Sequence, residues 1–89
     1  MKAIVTVVGQ DRVGIIAAVC SKLAEFNVNV LDISQTVMQG YFTMMMATDV
    51  SACNVPLAEL ARRMDELGVQ MGLSIRVQRE DIFQSMHRI

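Results

Sequence analysis

At 89 residues, with 53% of them hydrophobic, the chain has room for one modest core and too much apolar material to stay disordered. A net charge of −1 supplies no basic footprint for nucleic acid, and Cys20 and Cys53 fall outside any C-x-x-C or metal-ligand spacing. No apolar run approaches the ~20 residues needed to cross a bilayer.

Met1-Lys2 leads straight into an apolar run, which leaves no room for a signal peptide, so a soluble cytoplasmic chain with reduced thiols is expected. Lys2 to Val8 is β-branched on both faces, as in a strand covered by neighbours. Gly9 to Gly14 (GQDRVG) reads as a turn. After it, Ile15, Ile16, Val19, Cys20, Leu23 and Phe26 recur at helical spacing opposite Ser21, Lys22 and Glu25, with Asn27 as the stop. Val28 to Gln39 resumes strand character, with Leu31, Ile33, Gln35 and Val37 on one face and Asp32, Ser34 and Thr36 on the other. Gln39-Gly40 is a short turn signal, weaker than Asn-Gly because only the glycine readily takes positive φ. Tyr41 to Val50 returns as an antiparallel strand.

Ser51 to Val55 reads as a loop, and Pro56 suits the first position of a second helix. Its apolar stripe is Leu57, Leu60, Ala61, Met64 and Leu67, and Gly68 is the expected stop. Val69 to Gln78 alternates as a last strand, and Glu80 to Ile89 as a short terminal helix with Ile82, Phe83, Met86 and Ile89 on one side. This order predicts an α+β, ferredoxin-like βαββαβ sandwich: a four-stranded antiparallel sheet with both main helices on one face. The first and third strands are expected at its centre. The helix-free face then needs the terminal helix or a second subunit to cover it. One domain, 1–89, is expected, with a core over 2–78 and a helical extension over 80–89.

Chemistry concentrates at the first strand–helix turn, where backbone N–H groups and the positive end of a helix dipole converge on one point. Heavy-metal carriage would need cysteines there, and single-strand RNA binding would need exposed aromatics in a basic surround. Neither is present. An acylphosphatase-like hydrolase would use the same turn for phosphate, with Arg12 and Asn29 activating water, although Asp11 repels phosphate. His87, the only histidine, lies far along the chain from Ser21 or Cys20, so no nucleophile–base pair or metal site is indicated. No cofactor is expected. Each turn residue also has a purely structural reading: Asp11 as an N-cap worth ~0.5–2 kcal/mol, Gly9 and Gly14 as turn and packing glycines, Arg12 as a solvated side chain, and Asn29 as a residue that satisfies its own backbone. The run Met44-Met45-Met46 reads as sheet packing.

Gly9-Gln10-Asp11-Arg12-Val13-Gly14-Ile15 resembles the G-x-[DN]-R-x-G-[IVL] signature of ACT domains, small regulatory modules of amino-acid metabolism, and Asn27-Val28-Asn29-Val30 resembles their second motif. The likeness runs from Lys2 to about Gln78. The length and the ending Arg79-Glu80-Asp81-Ile82-Phe83 resemble a family of small stand-alone ACT proteins of unassigned role. Val13 stands where many members carry proline, and Asp11 where some amino-acid binders carry asparagine. The resemblance implies a homodimer that binds a small amino acid or related metabolite between the first turn of one subunit and the start of the second strand of its neighbour. Gly9, Gln10, Asp11, Arg12, Val13, Gly14 and Ile15 would line one side and Asn29 the other, with no catalytic activity and with regulation passed to a partner protein. The alternative is a ligand-free dimerisation or docking module for a metabolic enzyme.

Overall fold

The computed structural model describes residues 1–86. The elements run β1 (Lys2–Gln10), α1 (Ile15–Glu25), β2 (Asn29–Met38), β3 (Tyr41–Asp49), α2 (Leu57–Met71), β4 (Ser74–Arg79) and α3 (Glu80–Met86). All pairings are antiparallel and the sheet order is β2-β3-β1-β4, so the two most apolar strands are central, as predicted. The expected continuation of the terminal helix to Ile89, His87 included, lies outside the described residues.

Directly opposed residues of an antiparallel pair share a face. Ala3, Val5 and Val7 of β1 and Phe42, Met44, Met46 and Thr48 of β3 all lie on the helix-covered face and are buried. Ile15, Val19 and Leu23 of α1, with Leu60 and Met64 of α2, close over them. Two of the three consecutive methionines therefore fill core, while Met45 points to the helix-free face. Thr48 is the one buried polar residue among those described, and its hydroxyl donates to the Ala3 carbonyl at 2.8 Å.

Four expectations need correction. Gly68 does not end the second helix, which continues for another turn through Val69 to Met71. A Cβ at Gly68 would stand 2.6 Å from the Leu73 carbonyl oxygen, so this glycine serves a close helix–strand approach. Gly72, at φ +70°, is the actual stop: Leu73 N–H donates back to the Gly68 carbonyl at 2.8 Å. The last strand consequently begins at Ser74 rather than Val69. Pro56 sits one position before the helix as its N-cap, with extended backbone. Finally, β1 runs on through Gly9 and Gln10, which pair with Phe42 and Tyr41, so the connection to α1 is shorter than the glycines suggested.

Asn27 stops α1 as read, at φ 61°, with Val28 N–H donating to the Leu23 carbonyl. The loop before α2 is laced to that helix end: Asn27 Nδ2 donates to the Ala52 carbonyl at 2.9 Å and Asn54 Nδ2 to the Glu25 carbonyl at 3.1 Å. At the hairpin, both Gln39 (φ 52°) and Gly40 (φ 81°) take the left-handed region, matching the twist of β2 and β3 despite the steric cost at Gln39.

Candidate functional site

The turn between β1 and α1 is held against the hairpin, because Asp11 N–H donates to the Gly40 carbonyl at 2.8 Å. Gly14 then takes φ +94° and opens the helix; its carbonyl accepts from Ala18 at 2.9 Å. No side chain caps this end, so the Asp11 side chain does not cap the helix as the simplest structural reading had it. The N–H groups of Ile15, Ile16 and Ala17 consequently have no acceptor among the described residues, and none of the side chains in the first turn is acidic. They carry the positive end of the helix dipole.

A shallow cleft of about 290 Å³ lies over this helix start. Asp11, Arg12, Gly14, Ile15, Ile16 and Ala17 form one wall, and Gln35, Val37 and Phe42 the other. Asp11 and Arg12 are exposed, and neither side chain is committed to an ion pair among the described residues. The cleft therefore presents an acidic group, a basic group and unpaired backbone donors within one small space. That set suits a zwitterion: N–H groups and a guanidinium for a carboxylate, a carboxylate for an ammonium.

Of the residues expected at the site, Asp11, Arg12, Gly14 and Ile15 line the cleft. Gly9 and Gln10 belong to β1, where Gly9 packs against Leu73 and the Gly72 carbonyl. Val13 is fully exposed and does not line the cleft. Asn29 begins β2 opposite Asp49, at the far end of the strand from Val37, a separation of roughly 25 Å. Within one chain Asn29 cannot reach the cleft. Nor can Arg12 and Asn29 form the pair that an acylphosphatase-like hydrolase would require, so this chain alone does not assemble that site. Gln35 went unnoticed in the sequence as a site residue; its only signal was a polar residue on the apolar-patterned face of the second strand.

The ACT-domain family model matches residues 2–78. The chain belongs to the ACT-domain family. A UPF0237 protein of Clostridium acetobutylicum is 55% identical to it over 89 residues, the whole of both chains. Among solved structures, an ACT domain protein from Streptococcus pneumoniae is 42% identical, with a TM-score of 0.82 over 94% of each chain. A formyltetrahydrofolate deformylase from Pseudomonas syringae pv. tomato aligns over 88% of this chain and 27% of its own, with a TM-score of 0.80; at 21% identity that likeness is one of fold alone. ACT domains are in general regulatory ligand-binding modules. No helix among the described residues of this ACT domain is long and apolar enough to cross a membrane.

Proposed function

We propose that this ACT domain is a homodimeric cytoplasmic regulator that binds a small amino acid or a related metabolite in the cleft over the start of α1 and signals to a partner protein. The observation that carries this reading is the uncapped N-terminus of α1, facing a cleft that Asp11 and Arg12 share. The ligand carboxylate accepts from the N–H groups of Ile15 to Ala17, and Asp11 holds the ammonium. Gln35 adds a neutral donor and acceptor from β2 of the same subunit. Antiparallel pairing of the exposed β2 edges of two copies would bring Asn29 of the second copy to the end of the sheet beside Val37. Asn29 is on the helix-free side, opposite Asp49, so its amide would reach the cleft around the end of the paired strands.

A thermal-shift panel of the common amino acids tests the reading. A ligand at 100 times its Kd adds about 2.7 kcal/mol to native stability, and each kcal/mol moves the midpoint of so small a domain by roughly 4–8 °C. A shift with at least one amino acid, reduced in Asn29→Ala with the unliganded midpoint kept, is expected. No shift with any of them would leave the docking module as the better reading. That alternative has its own observation: Leu31, Ile33, Val37 and Met38 of β2 are exposed apolar residues on an edge strand.

A further inference from the structure

β4 forms the edge of the sheet farthest from β2, and no strand among the described residues pairs with its outer side. Every second residue of Ser74–Arg79 therefore turns its N–H and C=O away from the sheet. A groove of about 350 Å³ lies along this edge, between Ile75 to Gln78 and the flank of α2 that carries Ala61 and Asp65. The small Ala61 leaves room for a neighbouring chain, and Val69, one turn beyond Asp65 on that flank, is 76% exposed. Ile75 and Val77 stand opposite Val7 and Val5, on the helix-covered side, while Arg76 stands opposite Thr6, on the other side. Asp65 and Arg76 are both exposed, and neither forms an ion pair among the described residues.

We infer that this edge receives an extended segment of another protein, which joins the sheet as a fifth strand. Backbone bonds to β4 supply the attraction, and side chains make the selection. Successive residues of the segment alternate between the two faces of the sheet. On the helix-covered side they lie beside Ile75 and Val77 and face the flank of α2. That flank comes close to β4 at Gly68, where a Cβ would meet Leu73 and Ile75. From Gly68 back to Asp65 is about 4.5 Å along the helix, so the carboxylate stands level with the middle of β4. A lysine or arginine between apolar residues suits this side. On the other side the segment lies beside Arg76, where an aspartate or glutamate completes a cross-strand pair. The segment is accordingly apolar and basic on one face and acidic on the other.

A second copy is the poorer occupant. Antiparallel pairing of two β4 edges, centred anywhere from Ile75 to Val77, sets Arg76 within two positions of its counterpart on one face. On the other face it turns the Asp65 flanks of the two copies toward each other. Like charges then meet on both sides, which opposes self-pairing. A foreign segment of opposite charge satisfies both groups. β4 lies at the other edge of the sheet from β2 and the cleft over α1. Ligand and partner segment would not compete, and this inference stands or falls without the ligand reading.

The test uses the full chain and an end-blocked peptide, Thr-Val-Glu-Lys-Glu-Val-Thr, which sets its valines and lysine on one face and its glutamates on the other. The control is the charge-exchanged peptide Thr-Val-Lys-Glu-Lys-Val-Thr. In an amide-resolved NMR titration to millimolar peptide, saturable shifts are expected along Ser74 to Arg79 and at Asp65. The exchanged peptide should bind at least tenfold more weakly, and Asp65→Lys/Arg76→Glu should reverse that preference. Methylating alternate backbone nitrogens of the peptide should abolish binding in one phase and spare it in the other, because only one set faces β4. The inference is overturned if no saturable shift reaches β4, if the two peptides bind equally, or if neither phase of methylation weakens binding. Shifts along β4 on dilution of the chain alone would report a second copy at this edge and overturn it as well.

Discussion

At the scale of single residues, three glycines that look alike in the sequence act in three ways. Gly14 has nothing within 4 Å of where a Cβ would sit, but its φ of +94° is costly for any L-residue. Gly14→Ala should therefore destabilise by about 1–2 kcal/mol while leaving the core unchanged. Gly68 has an ordinary helical conformation and no room, because the Leu73 carbonyl is in the way. Gly68→Ala should cost more than Gly14→Ala, since backbone must move rather than a dihedral adjust. Gly72, at φ +70° with open space around it, ends α2. Urea melts of Gly14→Ala and Gly68→Ala check the ranking; equal or reversed losses would contradict it. Asn27, within the second ACT motif, is likewise structural: it caps α1 at φ 61° and ties the Ala52 carbonyl to it. Motif membership alone does not mark a residue as ligand-binding.

At the scale of elements, α2 carries its solvent face on a small charged network. Arg62 pairs with Glu59 and, at 3.2 Å, with Glu66, while Arg63 reaches Glu59 at 3.0 Å. Hydrogen bonds from Arg62 and then Arg63 hold the Glu59 carboxyl below its usual range, and those of Ser51 do the same for Asp49. A carboxylate with a lowered folded pKa contributes stability that is complete above its unfolded pKa and lost as pH falls through the folded one. Stability should accordingly decline below about pH 4.5, and Glu59→Gln should flatten part of that decline; an unchanged acid limb in the variant would contradict it. The element order was legible in the sequence because period-2 and period-3.6 patterns alternate cleanly from Lys2 to Gln78. The end of α2 was not, because a glycine that permits close packing and a glycine that stops a helix are the same letter. The site was half legible. The turn declares itself through Gly14 and its neighbours, but Gln35 is brought to the cleft by a strand pairing that no local pattern encodes.

At the scale of the whole molecule, β2 is an edge strand with exposed apolar residues, and the cleft over α1 opens beside that edge. The proposed regulation would couple ligand to assembly through one contact: the Asp11 N–H to Gly40 carbonyl bond ties the turn between β1 and α1 to the hairpin, and so to the β2 edge. The central claim is that a zwitterionic ligand sits on the exposed start of α1. An amide-resolved NMR titration with the amino acids that shift the melting midpoint tests it most directly. The amides of Ile15, Ile16 and Ala17 and the side-chain amide of Gln35 should move most, saturably, and Asp11→Ala should abolish the movement. Saturable shifts that cluster elsewhere and spare the start of α1 would contradict it.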